Sequence, residues 1–250
     1  MITNYLNQII RGDCVEVLKQ LPSESVDCVF ADPPFNIGKK YSQVRDKKND
    51  YKEWSYCWIA ECFRVLKKTG SIYLMTLPRY LEWQMPIMAS MGVFINLISW
   101  RNVSAAHNKK CFWGEYQPIM LYGKTEQYIF NTYAETEETN KRRWGGYSTE
   151  YKGQLKDRLG DIPFVYAGSI KHKEAIIEPG TNRKKHPCQM PEKLAFRAIK
   201  FSTNIDNIVL DPFVGSGTVP KVCRENNRNF IGIELSPEYC KMAINRILSV

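Results

Sequence analysis

Two short acidic motifs constrain the fold of this chain more than any other feature. Asp32-Pro33-Pro34-Phe35 follows the run Val26 to Ala31, apolar but for Asp27, and Asp211-Pro212-Phe213-Val214-Gly215-Ser216-Gly217-Thr218 follows Ile208 to Leu210. Short continuous apolar runs read as strands buried on both faces, the kind found in parallel sheets covered by helices. Consecutive prolines cannot continue a hydrogen-bond ladder, so the first strand must stop at Asp32. Open α/β sheets bind ligands beyond the carboxyl ends of their strands. An acidic residue at each of two tips therefore predicts a crevice with two occupants.

The rest of the chain supports such a sheet. Gln8 to Ile10, Ser71 to Thr76, Phe94 to Trp100, Ile119 to Tyr122 and Asn229 to Leu235 read as further strands. Val15 to Leu21, Leu81 to Met91, Pro191 to Phe201 and a segment from Val219 read as helices. Tyr51 to Lys67 has Ile59, Cys62, Phe63 and Leu66 on one helical face, with Thr69-Gly70 as its stop. Ser236 as N-cap and Pro237 at the first helical position open the last helix. Strands alternating with helices predict a mostly parallel, doubly wound α/β sheet. From Thr125 to Lys185 the apolar periodicity fades, and basic residues interleave with Trp144, Tyr147, Tyr151, Phe164 and Tyr166. Residues 1–124 and 186–250 are therefore expected to form one domain, with 125–185 inserted as a binding region.

Composition narrows the class. A hydrophobic share of 44% and a charged share of 24% suit a globular protein, and a net charge of +9 suits a polyanionic partner. No apolar run approaches the roughly 20 residues of a membrane span, and Met1 to Gln8 lacks the apolar core of an export signal. Eight scattered cysteines and three histidines predict reduced thiols, a cytoplasmic setting and no metal site.

The two tips suggest a chemistry. Gly215 and Gly217 let a ligand lie against bare backbone, yet the loop is neither a dinucleotide fingerprint nor a phosphate loop. Asp211 would face a cationic or donor-rich ligand. Glu234, about twenty residues on, is placed to accept from two ribose hydroxyls. An exocyclic amine on a base is a poor nucleophile, because its lone pair is delocalised into the ring. Hydrogen bonds from its two protons to Asp32 and to the Pro33 carbonyl would draw it toward tetrahedral geometry. Pro33 and Pro34 hold that carbonyl rigidly, and Phe35 offers a face to a base extruded from a duplex. The pattern points to transfer of a methyl group from S-adenosylmethionine to an amino nitrogen.

With these motifs in this order, the chain resembles the beta group of amino-directed DNA methyltransferases, over nearly its whole length. In that group the catalytic tetrad precedes the target-recognition region, and the glycine motif comes last. The resemblance implies a seven-stranded Rossmann-like methyltransferase sheet with an inserted target-recognition region. Gly12-Asp13-Cys14 resembles the segment near the cofactor adenine. Lys185-His186-Pro187, with Pro191 and Leu194, resembles the segment that helps hold the methionine part. Phe230-Ile231-Gly232-Ile233-Glu234 resembles the ribose-binding strand. Trp54, Arg64-Val65-Leu66 and Thr69-Gly70 resemble the segment after the tetrad.

The implied site is then Asp32, Pro33, Pro34 and Phe35 for catalysis. Asp13, Cys14, Lys185, His186, Pro187, Asp211, Pro212, Phe213, Gly215, Ser216, Gly217, Thr218 and Glu234 are implied for the cofactor. Lys141, Arg142, Arg143, Lys152, Lys156, Arg158, Lys171 and Lys173 are implied for DNA. The expected reaction is methylation of the N6 amino group of adenine in double-stranded DNA, with the N4 amino group of cytosine as the first alternative and an amino group of RNA or protein as the second. A homodimer and a restriction endonuclease cutting the same site are compatible partners.

Three positions depart from the group. Gln117 stands where a glutamate is usual, and its role is left open. Met190-Pro191 replaces the Lys-Pro of adenine enzymes and leans toward cytosine. Asp32 leans toward adenine, since serine is usual there in the cytosine enzymes, and it outweighs Met190 because it faces the reacting nitrogen. Pro187-Cys188 imitates the nucleophile motif of carbon-5 cytosine enzymes, but an amino nitrogen needs no covalent adduct. Nor is His186 assigned as a general base.

Overall fold

A computed structural model of the chain describes residues 1–41, 44–101, 116–131, 142–144, 147–149, 174–178, 180–181 and 185–249. In chain order it contains β1 (Gln8–Arg11), α1 (Cys14–Gln20), β2 (Val26–Ala31), the hairpin of β3 (Lys40–Tyr41) and β4 (Val44–Arg45), α2 (Tyr51–Val65) and β5 (Leu66–Met75). Next come α3 (Leu81–Ala89), β6 (Val93–Arg101), β7 (Tyr116–Gly123) and the hairpin of β8 (Arg142–Trp144) and β9 (Tyr147–Thr149). The chain closes with α4 (Glu192–Ser202), β10 (Ile208–Asp211), α5 (Thr218–Glu225), β11 (Asn229–Glu234) and α6 (Pro237–Leu248).

Seven strands form one sheet in the order β1-β11-β10-β2-β5-β7-β6. Pairing is parallel from β1 through β5, while β7 runs antiparallel to both β5 and β6. The expected seven-stranded, mostly parallel, doubly wound sheet is therefore the observed one. All six residues of β2 are buried, as a strand covered on both faces requires. Val29, Ala31, Leu210 and Ile231 pack with Leu18, Trp58 and Phe63 on one face. Their neighbours Cys28, Phe30, Val209 and Phe230 pack with Leu194, Ile199, Val222 and Ile247 on the other. The period-two alternation of side chains thus divides each strand between two cores.

One boundary differs from expectation. The helix expected to reach Lys67 stops at Val65, and Thr69-Gly70 lies inside β5 rather than at a helix end. A side chain at position 70 would sit 2.8 Å from the Asp27 carbonyl oxygen. The glycine lets β5 approach β2, where the register slips between the Val26 and Cys28 pairs.

One helix holds both described ends of the segment 125–185. At the departing end, the Asn131 amide donates to the Phe201 carbonyl (2.7 Å), and its side chain donates to the Lys200 and Thr203 carbonyls. At the returning end, the Glu174 carboxylate accepts from the Glu192 amide (3.0 Å), and Gln189 accepts from the Ile176 amide (3.2 Å). Both ends are thereby tied to the two termini of α4 or to residues just before it. No helix among the described residues is long and apolar enough to cross a membrane.

Candidate active site

The sheet order brings the acidic tips together. β10 and β2 are neighbours, with Val209 opposite Cys28 and Leu210 opposite Val29. β11 lies on the other side of β10, and β1 beyond it, with Arg11 opposite Glu234. Four adjacent parallel strands therefore carry Gly12-Asp13, Glu234, Asp211 and Asp32 at their carboxyl ends. The chain leaves β2 for the α2 face and β10 for the α5 face, which opens a crevice between their tips. That crevice is a single cavity of about 370 Å³, lined by Asp32 to Phe35 from one tip and Asp211 to Ser216, with Thr218, from the other. Its size is ordinary for a small-molecule site.

The first tip is left chemically open. Of three successive carbonyls, Pro34 accepts from the Tyr51 hydroxyl (2.9 Å) and Phe35 from the Tyr80 hydroxyl (2.9 Å). No described residue donates to the Pro33 carbonyl or to the Asp32 carboxylate. The surface of Asp32 is half-buried because it faces the cavity, yet protein encloses it closely on the other sides. Burial pushes its carboxyl up to about 7, with the Lys39 ammonium pulling weakly the other way. Phe35 is buried and lines the same wall.

The second tip is closed by its own bonds. Asp211 accepts from the Phe213 amide (2.9 Å), which shapes the turn. One Glu234 oxygen accepts from the Gly215 amide (2.9 Å) and the other from the Ser236 amide (2.8 Å). Burial raises the Glu234 carboxyl, opposed by those amides and by that of Leu235. Burial also drives Asp211 well above the usual carboxylate range, helped by the charges of Asp32 and Glu234. Gly215 is left-handed (φ +51), and a side chain there would meet His186 Nε2 at 2.9 Å. The His186 ring packs edge-on against Tyr239, with centroids 4.7 Å apart, and its Nδ1 accepts from the Cys188 amide.

Other expected residues are placed variously. Asp13 and Cys14 line the cavity, but the Asp13 carboxylate caps α1 by accepting from the Val15 and Glu16 amides. The Cys14 thiol is pushed up to about 12, chiefly by burial and then by Asp13. His186, Pro212 and Phe213 also line it, and Phe213 packs edge-on against Trp58. Lys185, Pro187 and Gly217 do not line it. Lys185 is exposed and pairs its amide with the Ile176 carbonyl, and the Pro187 carbonyl accepts from Lys39.

Gly217 was expected to give a ligand close access, but it serves helix packing instead. Its φ is +80, and a side chain would meet Ala243 Cα of α6 at 2.8 Å. Lys141, Lys152, Lys156, Arg158, Lys171 and Lys173 lie outside the described residues. Arg142 and Arg143 fall in β8, of which only the backbone is described.

Tyr41, Tyr51, Trp54 and Tyr239 also line the cavity; the sequence points to Trp54 only as part of the segment after the tetrad, and to none of the four as a site residue. The identity of an aromatic residue carries no signal of what it will face. Cys188, set aside as a decoy, also lines it, and its sulfur accepts from Lys39 (2.9 Å) and Tyr41 (3.4 Å).

The model of the N6/N4 methyltransferase family, described as DNA methylase, matches residues 26–245. The chain belongs to this family. Among relatives of this DNA methylase, the DNA adenine methyltransferase YhdJ of Escherichia coli (strain K12) is 34% identical over 253 residues. That match covers 98% of this chain and 83% of the relative. The type II methyltransferase M.HpaI of Haemophilus parainfluenzae is 32% identical over 245 residues, covering 96% and 74%.

Two solved structures share the fold. The M1.HpyAVI–SAM complex is 23% identical with a TM-score of 0.65, covering 96% of this chain and 98% of that one. The cytosine-N4-specific PvuII DNA methyltransferase is 18% identical with a TM-score of 0.65, covering 95% and 85%.

The methyl donor of this methylase is S-adenosylmethionine, and the cavity fits it. Two carboxylates on the glycine-loop side, the buried Asp211 and the half-buried Glu234, suit a cationic ligand. The Gly215 amide, which could have cradled a phosphate, is taken by Glu234. Among the described residues, no cluster of side chains could hold a metal ion.

Proposed function

We propose that this DNA methylase modifies the N6 amino group of adenine in a sequence-specific duplex site, with the target base extruded into the shared cavity. The observation that carries the reading is the pair of acceptors to which no described residue donates, the Asp32 carboxylate and the Pro33 carbonyl, beside two neighbouring carbonyls that tyrosines already occupy. An exocyclic amino group has two protons to give and needs two fixed acceptors. The pair would hold the nitrogen with its lone pair released from the ring, preorganised before reaction. Phe35 would support the face of the base.

Gly215, Ser216, Thr218, Asp211 and Glu234, with His186, would hold the cofactor. When bound, S-adenosylmethionine supplies a methyl group on a cationic sulfur, an electrophile toward an amine. Asp32 must be ionised to accept, and its carboxyl near 7 is matched to passing the released proton to water. The basic segment between 125 and 185 is proposed to contact DNA phosphates, so affinity should fall steeply with salt.

The acidic first residue of the tetrad and the 34% likeness to an enzyme named for adenine support N6 over N4. Met190, which lines the cavity, favours the cytosine reading. Enzymatic hydrolysis of DNA methylated in vitro, followed by mass spectrometry of the nucleosides, separates them. N6-methyldeoxyadenosine is the expected product, and N4-methyldeoxycytidine would replace the adenine assignment. The type II names of several relatives support a restriction endonuclease with the same site as a partner.

A further inference from the structure

The apolar stripe of α6 is interrupted by Arg246, which is 9% exposed. A guanidinium buried to that degree is costly unless its donors are used. Here they are used on two neighbours, the glycine loop and the start of α4. Nη1 donates to Thr218 Oγ1 (2.8 Å) and lies 3.3 Å from both the Ser216 carbonyl and the Ser216 hydroxyl. Nη2 donates to Glu192 Oε1 (2.6 Å) at the start of α4.

The network continues on both sides. The Thr218 hydroxyl, accepting from Arg246, donates onward to the Met190 carbonyl (3.2 Å). The second Glu192 oxygen accepts from Lys221 (2.9 Å) on α5. Burial alone would raise the Glu192 carboxyl, but Lys221 and Arg246 hold it below its ordinary value. Ser216, Thr218 and Met190 all line the cavity, whereas Arg246 does not. The left-handed Gly217 lies between the two gripped residues and has no side-chain cap on its helix.

We propose that Arg246 is the positioning residue of the glycine loop: its planar fork fixes Ser216 and Thr218 against the 186–190 segment, so that the loop meets its cofactor already in shape. The inference rests on the reading of this loop as the cofactor loop. It explains why a charged residue occupies a helix face where an apolar one would pack. Lysine keeps the charge but not the fork that reaches Thr218 and Glu192 together.

The test is calorimetric titration of S-adenosylhomocysteine into the full chain as wild type, Arg246→Lys, Arg246→Gln and Glu192→Gln, with circular dichroism and thermal unfolding on the same samples. Arg246→Lys is expected to weaken binding about tenfold, the worth of one lost charge-assisted hydrogen bond. Arg246→Gln should weaken it further, and Glu192→Gln by a smaller factor. DNA affinity measured without cofactor should stay at the wild-type value.

If Arg246→Gln does not fold, the lysine and Glu192→Gln variants decide the matter. Folded variants that bind with the wild-type constant, even at a lower melting temperature, would overturn the proposal and leave Arg246 as a helix-packing residue. A wild-type chain that does not bind S-adenosylhomocysteine would overturn the cofactor-loop reading itself, and the inference with it.

Discussion

The tips of β2 and β10 are neighbours in one sheet, yet they are finished in opposite ways. At the β10 tip and that of its neighbour β11 the polar groups are spent internally: Asp211 on Phe213, Glu234 on Gly215 and Ser236, Thr218 on Arg246 and Met190. At the β2 tip the tyrosines satisfy Pro34 and Phe35, and no described residue donates to Asp32 or to the Pro33 carbonyl. The difference separates two tasks. A cofactor loop must keep one shape, which internal bonds secure. A site that activates an amine must keep strong acceptors in reserve, and burial raises the carboxyl of Asp32 there.

The largest expected effect tests the open tip alone. Asp32→Ala should lower methyl transfer to DNA by about 10³-fold, in line with loss of a preorganised electrostatic contact. Cofactor affinity should be unchanged, and a tritium-transfer assay paired with calorimetry would register both. A variant that keeps near wild-type transfer removes Asp32 from the reaction.

The pH dependence comes next. Burial favours the neutral form of Asp32, and the reaction needs the ionised one. Single-turnover rates should therefore fall about tenfold per unit below pH 7 and level off above it. A profile that stays flat down to pH 5 would show that Asp32 titrates elsewhere.

The two glycines divide the closed tip. Gly215→Ala drives a side chain toward His186 in the cavity wall and should weaken S-adenosylhomocysteine binding about tenfold or more. Gly217→Ala drives one into the Ala243 backbone and should cost about 2 kcal/mol of stability in denaturant unfolding. The affinity of the folded Gly217 variant should hold. Equal effects of the two changes on affinity would erase the distinction between them. Tyr51→Phe, the mildest change, frees the Pro34 carbonyl and should slow transfer by a factor of a few through loss of one neutral hydrogen bond.

What could be read from the sequence follows the range of the forces involved. Strands, tips and the order of motifs were legible because proline and glycine act locally and burial leaves a pattern in adjacent residues. Ser236 announced α6 for the same reason, and its side chain does accept from the Tyr239 amide. The end of α2 is not where Thr69-Gly70 suggests, because Gly70 lies inside β5, where a side chain would meet two groups at once, Leu66 Cδ1 (2.6 Å) and the Asp27 carbonyl of the neighbouring strand (2.8 Å). Gly217 was given to the ligand although its constraint comes from Ala243, in a helix that begins twenty residues later. Tyr51, Tyr80 and Arg246 act across 17, 45 and about 30 residues, and nothing in their immediate sequence marks them. Site chemistry set by local motifs could be read, whereas the groups that complete or brace it could not.

The central claim is that both tips open into one chamber where an amino nitrogen and the cofactor meet. The most direct measurement is calorimetric titration of a bisubstrate compound, with the N6 of adenine linked to the sulfur position of an S-adenosylhomocysteine analogue. It should bind the wild-type chain at least about tenfold more tightly than S-adenosylhomocysteine, and that gain should vanish in Asp32→Ala while the cofactor-level affinity remains. Binding no tighter than S-adenosylhomocysteine, or a gain untouched by Asp32→Ala, would contradict the account.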